Sequence, residues 1–153
     1  MKTIKSVFSK KNLIESLVIT ILLLVMATPV LANSYNWGWT SNDYGMIIDG
    51  KRNGITYNLT AGTMTLQGGV TIIEDTSFGL ATWRHTVKKV NLLIDSSVCS
   101  VSVTPELPGV RYPFSKNCGS QPAATYYLYI ERLTSTGESD YRIVTGSGTI
   151  STQ

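Results

Sequence analysis

The sequence predicts an all-β protein, a small antiparallel β-sandwich or short barrel that follows an N-terminal signal peptide. Three observations lead to this prediction. Apolar and polar residues alternate over short runs, these runs are rich in β-branched and aromatic residues, and turn-forming pairs separate them. The turns recur about every eight to twelve residues, a spacing typical of sandwiches and small barrels.

Residues 1–32 have the composition of a secretory signal peptide. Residues 1–16 carry four lysines and one acid, and residues 17–27 (LVITILLLVMA) are apolar. Val30-Leu31-Ala32 then supplies the small side chains that a signal peptidase recognises, so we expect cleavage after Ala32. The apolar run is shorter than the roughly twenty residues of a membrane-spanning helix, although an uncleaved anchor is the alternative. The lysine-rich leader resembles those of Gram-positive bacteria and predicts a secreted, bacterial protein.

Residues 33–153 are expected to form a single secreted domain. The chain has 13 Lys and Arg and 10 Asp and Glu, and the leader holds four of the basic residues and one of the acids. Nine of each therefore remain in the expected mature domain, whose net charge is close to zero. Such a surface has no general attraction for nucleic acid, and we expect contact with a membrane only through the signal peptide.

The two cysteines of the chain, Cys99 and Cys118, are predicted to form a disulfide. An exported protein meets an oxidising environment, which favours this pairing over a free thiol or a shared metal ligand. Two cysteines and one histidine are too few for an ordinary structural zinc site. No metal and no cofactor is therefore expected.

The first half of the expected domain divides into short strands. Residues 33–44 form a strand with Tyr35, Trp37 and Trp39 on one face, because side chains alternate with period two. A hairpin follows over residues 46–59, where the pairs Asp-Gly and Asn-Gly tolerate positive φ. The two adjacent glycines at 68 and 69 are expected to separate a strand at 63–66 from another at 70–73.

The second half contains one long expected loop. Residues 80–94 are favoured as a strand with a helix as the alternative, and residues 97–103 are a clearer strand. Residues 104–124 hold four prolines and two glycines, so a loop is predicted there, tied down by Cys118. A second hairpin is expected from residues 125–133 and 140–145, and residues 147–152 are expected to form an edge strand.

Two sets of residues are candidates for binding. Tyr35, Trp37 and Trp39 are broad, amphipathic side chains that can stack on sugar rings, although they can equally fill the core. The loop carrying Arg111, Tyr112 and Phe114 combines a cation with two aromatic rings, and loops often carry binding residues; plain loop packing is the alternative.

Catalytic motifs are absent from the sequence. There is no Gly-rich phosphate loop, HExxH, paired CxxC or GxSxG. His85 is interpreted as an ordinary strand residue, and the neighbouring acids Glu74 and Asp75 would point to opposite faces of a strand. We therefore assign no catalytic residues and favour a non-catalytic protein, and we keep a small hydrolase as an alternative.

The function predicted is that of a secreted binding or surface-interaction domain, whose partner is a cell-surface carbohydrate or protein. A secreted antimicrobial protein acting on a cell envelope is the second hypothesis. Residues 35–45 (YNWGWTSNDYG) resemble the start of small β-sandwich bacteriocins similar to lactococcin. The Tyr-Ser-x-Tyr and His-rich pattern expected in that group is missing, so its function is not transferred to this chain.

Overall fold

The computed structural model describes residues 32–42, 47–75, 80–133 and 142–153. These ranges contain nine β-strands, in which side chains alternate between the two faces. These ranges contain no helix, and hence none that is long and apolar enough to cross a membrane. The strands are β1 (Asn33–Asn42), β2 (Ile47–Asp49), β3 (Tyr57–Leu59), β4 (Gly62–Asp75), β5 (Trp83–Lys89), β6 (Ser96–Val103), β7 (Arg111–Gln121), β8 (Ala124–Arg132) and β9 (Arg142–Thr152). Residues 1–31 of the expected signal peptide and residues 134–141 lie outside the described residues. Both predicted hairpins are wrong: β2 and β3 pair one after the other with β8 and not with each other, and β8 and β9 belong to different sheets.

The strands form two antiparallel sheets that pack as a sandwich, which confirms the predicted fold. Sheet A has the strand order β1-β9-β4-β7. Sheet B has the order β2-β8-β5-β6, and β3 also pairs with β8. The prediction of a strand over residues 80–94 is confirmed for β5, and the helical alternative is wrong for that segment.

The core lies between the inner faces of the two sheets. In β4 every second side chain from Met64 to Ile72 is apolar or glycine, and the apolar ones are completely buried. Sheet B supplies Val87 from β5 and alternate residues of β8. Burying one such side chain stabilises the fold by about 1.5–3 kcal/mol. The period-two pattern thus places the apolar set of each sheet against the other.

The strand breaks predicted at residues 68–69 and between residues 145 and 147 are both wrong. Glycine at these places leaves space for a neighbouring side chain and does not end the strand. β4 runs unbroken through Gly68 and Gly69, and β9 runs through Gly146 and Gly148. A Cβ atom on Gly148 would lie 2.7 Å from Cζ2 of Trp37, a distance shorter than Cβ atoms adopt in real structures. The glycines therefore make room for the indole. β9 lies between β1 and β4, so the prediction of an edge strand at residues 147–152 is also wrong.

The prediction of a loop over residues 104–124 is wrong for its second half. Residues 111–121 form β7, which pairs with β4 at the edge of sheet A. Pro113 lies opposite Gly69 in this pairing. An edge strand pairs on one side only, so it can accommodate a residue that lacks a ladder N–H. The prolines were compatible with an edge strand, although they exclude a central one.

The predicted disulfide between Cys99 and Cys118 is confirmed, and it joins the two sheets. Cys99 lies on β6, the edge of sheet B, and Cys118 lies on β7, the edge of sheet A. Their Cα atoms are 5.4 Å apart. The bond therefore links the two sheets at one side of the sandwich.

Removing the disulfide should destabilise the domain without changing its fold. The double variant Cys99→Ser/Cys118→Ser is expected to lose about 3 kcal/mol of unfolding free energy, because the unfolded chain regains the entropy of a loop of about twenty residues. Denaturant unfolding measures this loss. A reductant should destabilise the wild type and leave the double variant unchanged; equal unfolding midpoints for the oxidised wild type and the variant would contradict the prediction.

Glycine at position 148 should be required for packing. Gly148→Ala is expected to cost about 1–3 kcal/mol, because the added methyl group collides with the Trp37 indole and the Gln67 backbone. The matched control is Gly38→Ala, whose new Cβ would meet its nearest atom at an ordinary 3.7 Å. Thermal unfolding of both variants tests the prediction, which fails if the two substitutions have the same effect.

Candidate functional site

The first set of predicted binding residues faces the interior of the sandwich. Trp37 and Trp39 are 5% and 8% exposed, so they fill the core, as the alternative interpretation allowed. Tyr35 is on the same face of β1 but nearer its end, and it is 37% exposed. Its hydroxyl donates to the Asn58 carbonyl at 3.1 Å. Of the three, only Tyr35 presents a substantial part of its ring to solvent.

The second set is divided between the two faces of β7. Arg111 points outward and crosses Gly69 to donate to the hydroxyl and the carbonyl of Ser147, at 3.2 and 2.9 Å. Tyr112 and Phe114 are half-buried and pack against the core. The alternation of a strand therefore separates side chains that were expected to act together on a loop.

His85 lies at the centre of an aromatic cluster between the sheets. Its ring is fully buried, and the ring centroids of Phe114, Trp39 and Trp37 are 4.9, 5.6 and 5.7 Å away. The indole N–H of Trp39 donates to its Nε2 at 3.2 Å. Because Nε2 accepts this bond, the neutral imidazole carries its proton on Nδ1, which makes no hydrogen bond of good geometry.

Burial lowers the pKa of His85 from 6.5 to about 4, although the Trp83 backbone partly opposes this shift. The imidazole is therefore neutral near pH 7 and has no contact with solvent. A hydrolase built on His85 and a serine would need this ring to reach a substrate. Among the described residues, no group of three His, Cys, Asp or Glu side chains is placed to hold a metal ion.

A concave area lies on the outer face of sheet B, and we call it the sheet B depression. Its volume is about 630 Å³. Cross-strand pairing assembles it, since Arg84 lies opposite Glu131 and Thr86 lies opposite Tyr129. The lining residues are Arg84, Thr86, Lys88, Ser97, Val98, Cys99, Ser100, Tyr129 and Glu131.

The polar groups of the sheet B depression are held in fixed positions. Glu131 Oε1 accepts from Nε of Arg84 at 2.8 Å and lies 2.7 Å from Nη2. The ammonium group of Lys88 lies 3.8 Å from the centroid of the Tyr129 ring, in a cation–π contact. An aromatic ring, an ion pair and several hydroxyl groups therefore surround one concave area.

Sequence reasoning did not find this site. The alternation within β5 places Arg84, Thr86 and Lys88 on one face, and this signal can be read from the sequence. The pairing of β5 with β8 brings Tyr129 and Glu131 beside them, and that pairing joins segments more than forty residues apart. The order of residues along β5 does not show which residues of β8 lie beside its basic side chains.

A second, smaller depression of about 370 Å³ lies on the outer face of sheet A. Arg111, Pro113, Gln67 and Thr149 surround it, and two glycines contribute to its floor. The neighbouring side chains on this face are mostly small and polar; Phe114 also lines the depression, but its half-buried ring packs against the core. Arg111 is the one predicted binding residue that lines this depression with an outward side chain.

Acidification should destabilise the domain through His85. Between about pH 6.5 and pH 4 the unfolded chain binds a proton that the folded chain excludes, so the free energy of unfolding falls as the pH falls across this window. The expected loss is about 3 kcal/mol, and it is absent above pH 6.5. Chemical unfolding at pH 7, 5.5 and 4 measures it.

The matched variant is His85→Gln, whose amide oxygen can still accept from Trp39. It should lose the component of the pH dependence between pH 6.5 and 4 and keep the contribution of the carboxylates at lower pH. Parallel pH profiles for the wild type and this variant would show that His85 is not the group responsible.

No family model and no curated protein matches this chain. Among solved structures, the chain is similar to the infectious bursal disease virus VP2 subviral particle, with 17% sequence identity and a TM-score of 0.47. It is also similar to the infectious bursal disease virus Gx strain, with 18% identity and a TM-score of 0.45. The aligned region covers 80% and 79% of this chain, respectively, but only 33% of each viral chain.

Proposed function

We propose that this protein is a secreted, non-catalytic binding domain for cell-surface carbohydrate, and that the sheet B depression is its binding site. The observation that carries the proposal is the combination of the Tyr129 ring with the Arg84–Glu131 ion pair in one concave surface. Small-ligand sites commonly pair apolar or aromatic surface with a few well-placed polar groups, and these groups set the orientation of the ligand.

The chemistry of this surface suits a hydroxyl-rich ligand. The carboxylate of Glu131 accepts hydrogen bonds, Arg84 and Lys88 donate them, and Thr86 and Ser100 do both. Arg84 Nε and Nη2 are both engaged with Glu131, so ligand hydroxyls would bind to groups that are already oriented. Little side-chain freedom then has to be lost on binding, which favours affinity.

The charge of the depression favours sugars that carry an acidic group. Two cations, Arg84 and Lys88, face one carboxylate, Glu131, so the lining has a net positive charge. The expected mature chain is otherwise close to neutral, so this attraction would be local. Sugars with a carboxylate or phosphate group are therefore expected to bind more tightly than neutral ones.

The proposed secretion and bacterial origin rest on the leader, and the disulfide is compatible with an oxidising location. An antimicrobial role at a cell envelope would use the same location and is retained as a second proposal, for which the next subsection gives a specific feature. The described geometry offers no corresponding support for a hydrolase.

Substitutions in the sheet B depression should weaken carbohydrate binding. On a glycan array with neutral and acidic bacterial-surface sugars, we expect preferential binding to acidic sugars by the wild type. Arg84→Gln and Lys88→Gln should each weaken it about tenfold, because each removes a charge-assisted hydrogen-bond donor. Solution titration with the strongest glycan then gives the dissociation constants.

The control is Arg111→Gln, which makes the same cation-to-amide change on the opposite sheet and should leave binding unchanged. If Arg111→Gln abolishes binding and the two sheet B variants do not, the site lies on sheet A. If the wild type binds none of the sugars, the carbohydrate proposal is wrong.

A further inference from the structure

The turn between β5 and β6 presents three consecutive large apolar side chains to solvent. Leu92, Leu93 and Ile94 are 100%, 92% and 83% exposed, respectively. Scattered exposed apolar residues are ordinary on a protein surface. Three in succession at the end of a hairpin are not, and their exposure shows that no other described part of the chain covers them. We call residues 91–95 the apolar tip.

The apolar tip is held in place by hydrogen bonds, so this exposure belongs to an ordered turn. The Asn91 backbone N–H donates to Asp95 Oδ1 at 3.0 Å, and the Asn91 side-chain amide donates to the Ile94 carbonyl at 3.1 Å. Asp95 Oδ2 in turn accepts from the Lys51 ammonium at 2.7 Å and from the Tyr127 hydroxyl at 3.0 Å. These bonds fix the base of the tip to sheet B and to the β2–β3 turn.

Positive side chains surround the base of the apolar tip. Lys89 ends β5 just before it, and Lys51 and Arg52 lie on the turn that contacts Asp95. The Arg52 side chain is 87% exposed, and its nearest carboxylate partner, Asp49, is 3.7 Å away. Three cations thus accompany two carboxylates, Asp49 and Asp95, in a chain whose expected mature part is otherwise nearly neutral.

We propose that the apolar tip inserts into the surface of an anionic lipid bilayer, with Leu92, Leu93 and Ile94 among the acyl chains and the surrounding cations against the headgroups. A projecting tip of three side chains fits a deformable phase, and interfacial segments reach about 5–10 Å into it. The cations supply charge complementarity to anionic headgroups. The sequence predicted membrane contact only through the leader, whereas this proposal adds a contact through the folded domain. The proposal does not depend on the sheet B depression.

Co-sedimentation with lipid vesicles tests the proposal. Vesicles of phosphatidylcholine alone and of phosphatidylcholine with phosphatidylglycerol are compared as probes. All variants carry the same N-terminus, determined by mass spectrometry, because the apolar residues 17–27 can themselves bind lipid. Differences between variants therefore report on the folded domain.

The tip variant is Leu92→Ser/Leu93→Ser/Ile94→Ser. Its binding to anionic vesicles should fall at least tenfold, because three side chains lose their apolar contact with the acyl region. The matched control is Ile73→Ser/Leu107→Ser/Val110→Ser, which replaces three exposed apolar residues near the far end of β4 and should bind like the wild type. Circular dichroism confirms that both variants are folded.

A second variant separates the electrostatic part. Arg52→Gln/Lys89→Gln should weaken binding to the anionic vesicles about tenfold, leave binding to neutral vesicles unchanged and reduce the salt dependence. Neither residue lines the sheet B depression, so glycan binding should persist in this variant and in the tip variant.

Three results would overturn the proposal: no binding of the wild type to anionic vesicles, equal binding by the wild type and the tip variant, or equal losses in the tip variant and its control. Sedimentation velocity distinguishes a different occupant. If the wild type and the control variant are dimers, the tip variant is a monomer, and all three bind vesicles equally, the tip contacts a second copy of this chain.

Discussion

The packing of the Trp37 indole against glycine backbone is the contact on which the sandwich depends. Gly68 of β4 and Gly148 of β9 lie under this ring, and a methyl group on either would occupy its space. Trp39 uses Gly146 in the same way. β1 contributes these rings from the edge of sheet A, and the glycines of the central strands leave room for the wide aromatic side chains between the sheets.

Packing the indole rings in the core also buries a polar group, the N–H of Trp39, and His85 is its hydrogen-bond partner. The Trp39 N–H needs an acceptor in the core, because an unpaired buried donor is costly, and His85 Nε2 supplies it. The same burial keeps the imidazole neutral, so the single histidine of the chain serves packing and hydrogen bonding rather than surface chemistry. The aromatic cluster therefore uses several of the side chains that looked most suited to ligand binding.

What remains for interaction lies on the outer surfaces. Sheet B presents a concave face on which Arg84, Glu131, Lys88 and Tyr129 hold one another in place. The turn after β5 forms the apolar tip, and the Asp95 carboxylate accepts the hydrogen bonds that connect this tip to sheet B. Both features depend on β5, whose position between β8 and β6 is secured by the disulfide at the neighbouring edge. The two proposed interactions, with a glycan and with a lipid headgroup layer, are both ones that a cell envelope offers.

The sequence by itself determined the fold class, most strand positions, the Cys99–Cys118 bond and the shared face of Tyr35, Trp37 and Trp39. These follow from local rules: alternation with period two, turn chemistry and the scarcity of cysteine. Only the tertiary structure decided that Gly68 and Gly148 continue strands, that β7 pairs as an edge strand, and that Tyr129 and Glu131 stand beside Arg84. Each of these depends on a contact between segments that are distant in the sequence. In one case an indole fills the space left by a glycine. In the others, the pairing register between two strands matters, and the order of residues along one strand does not specify it.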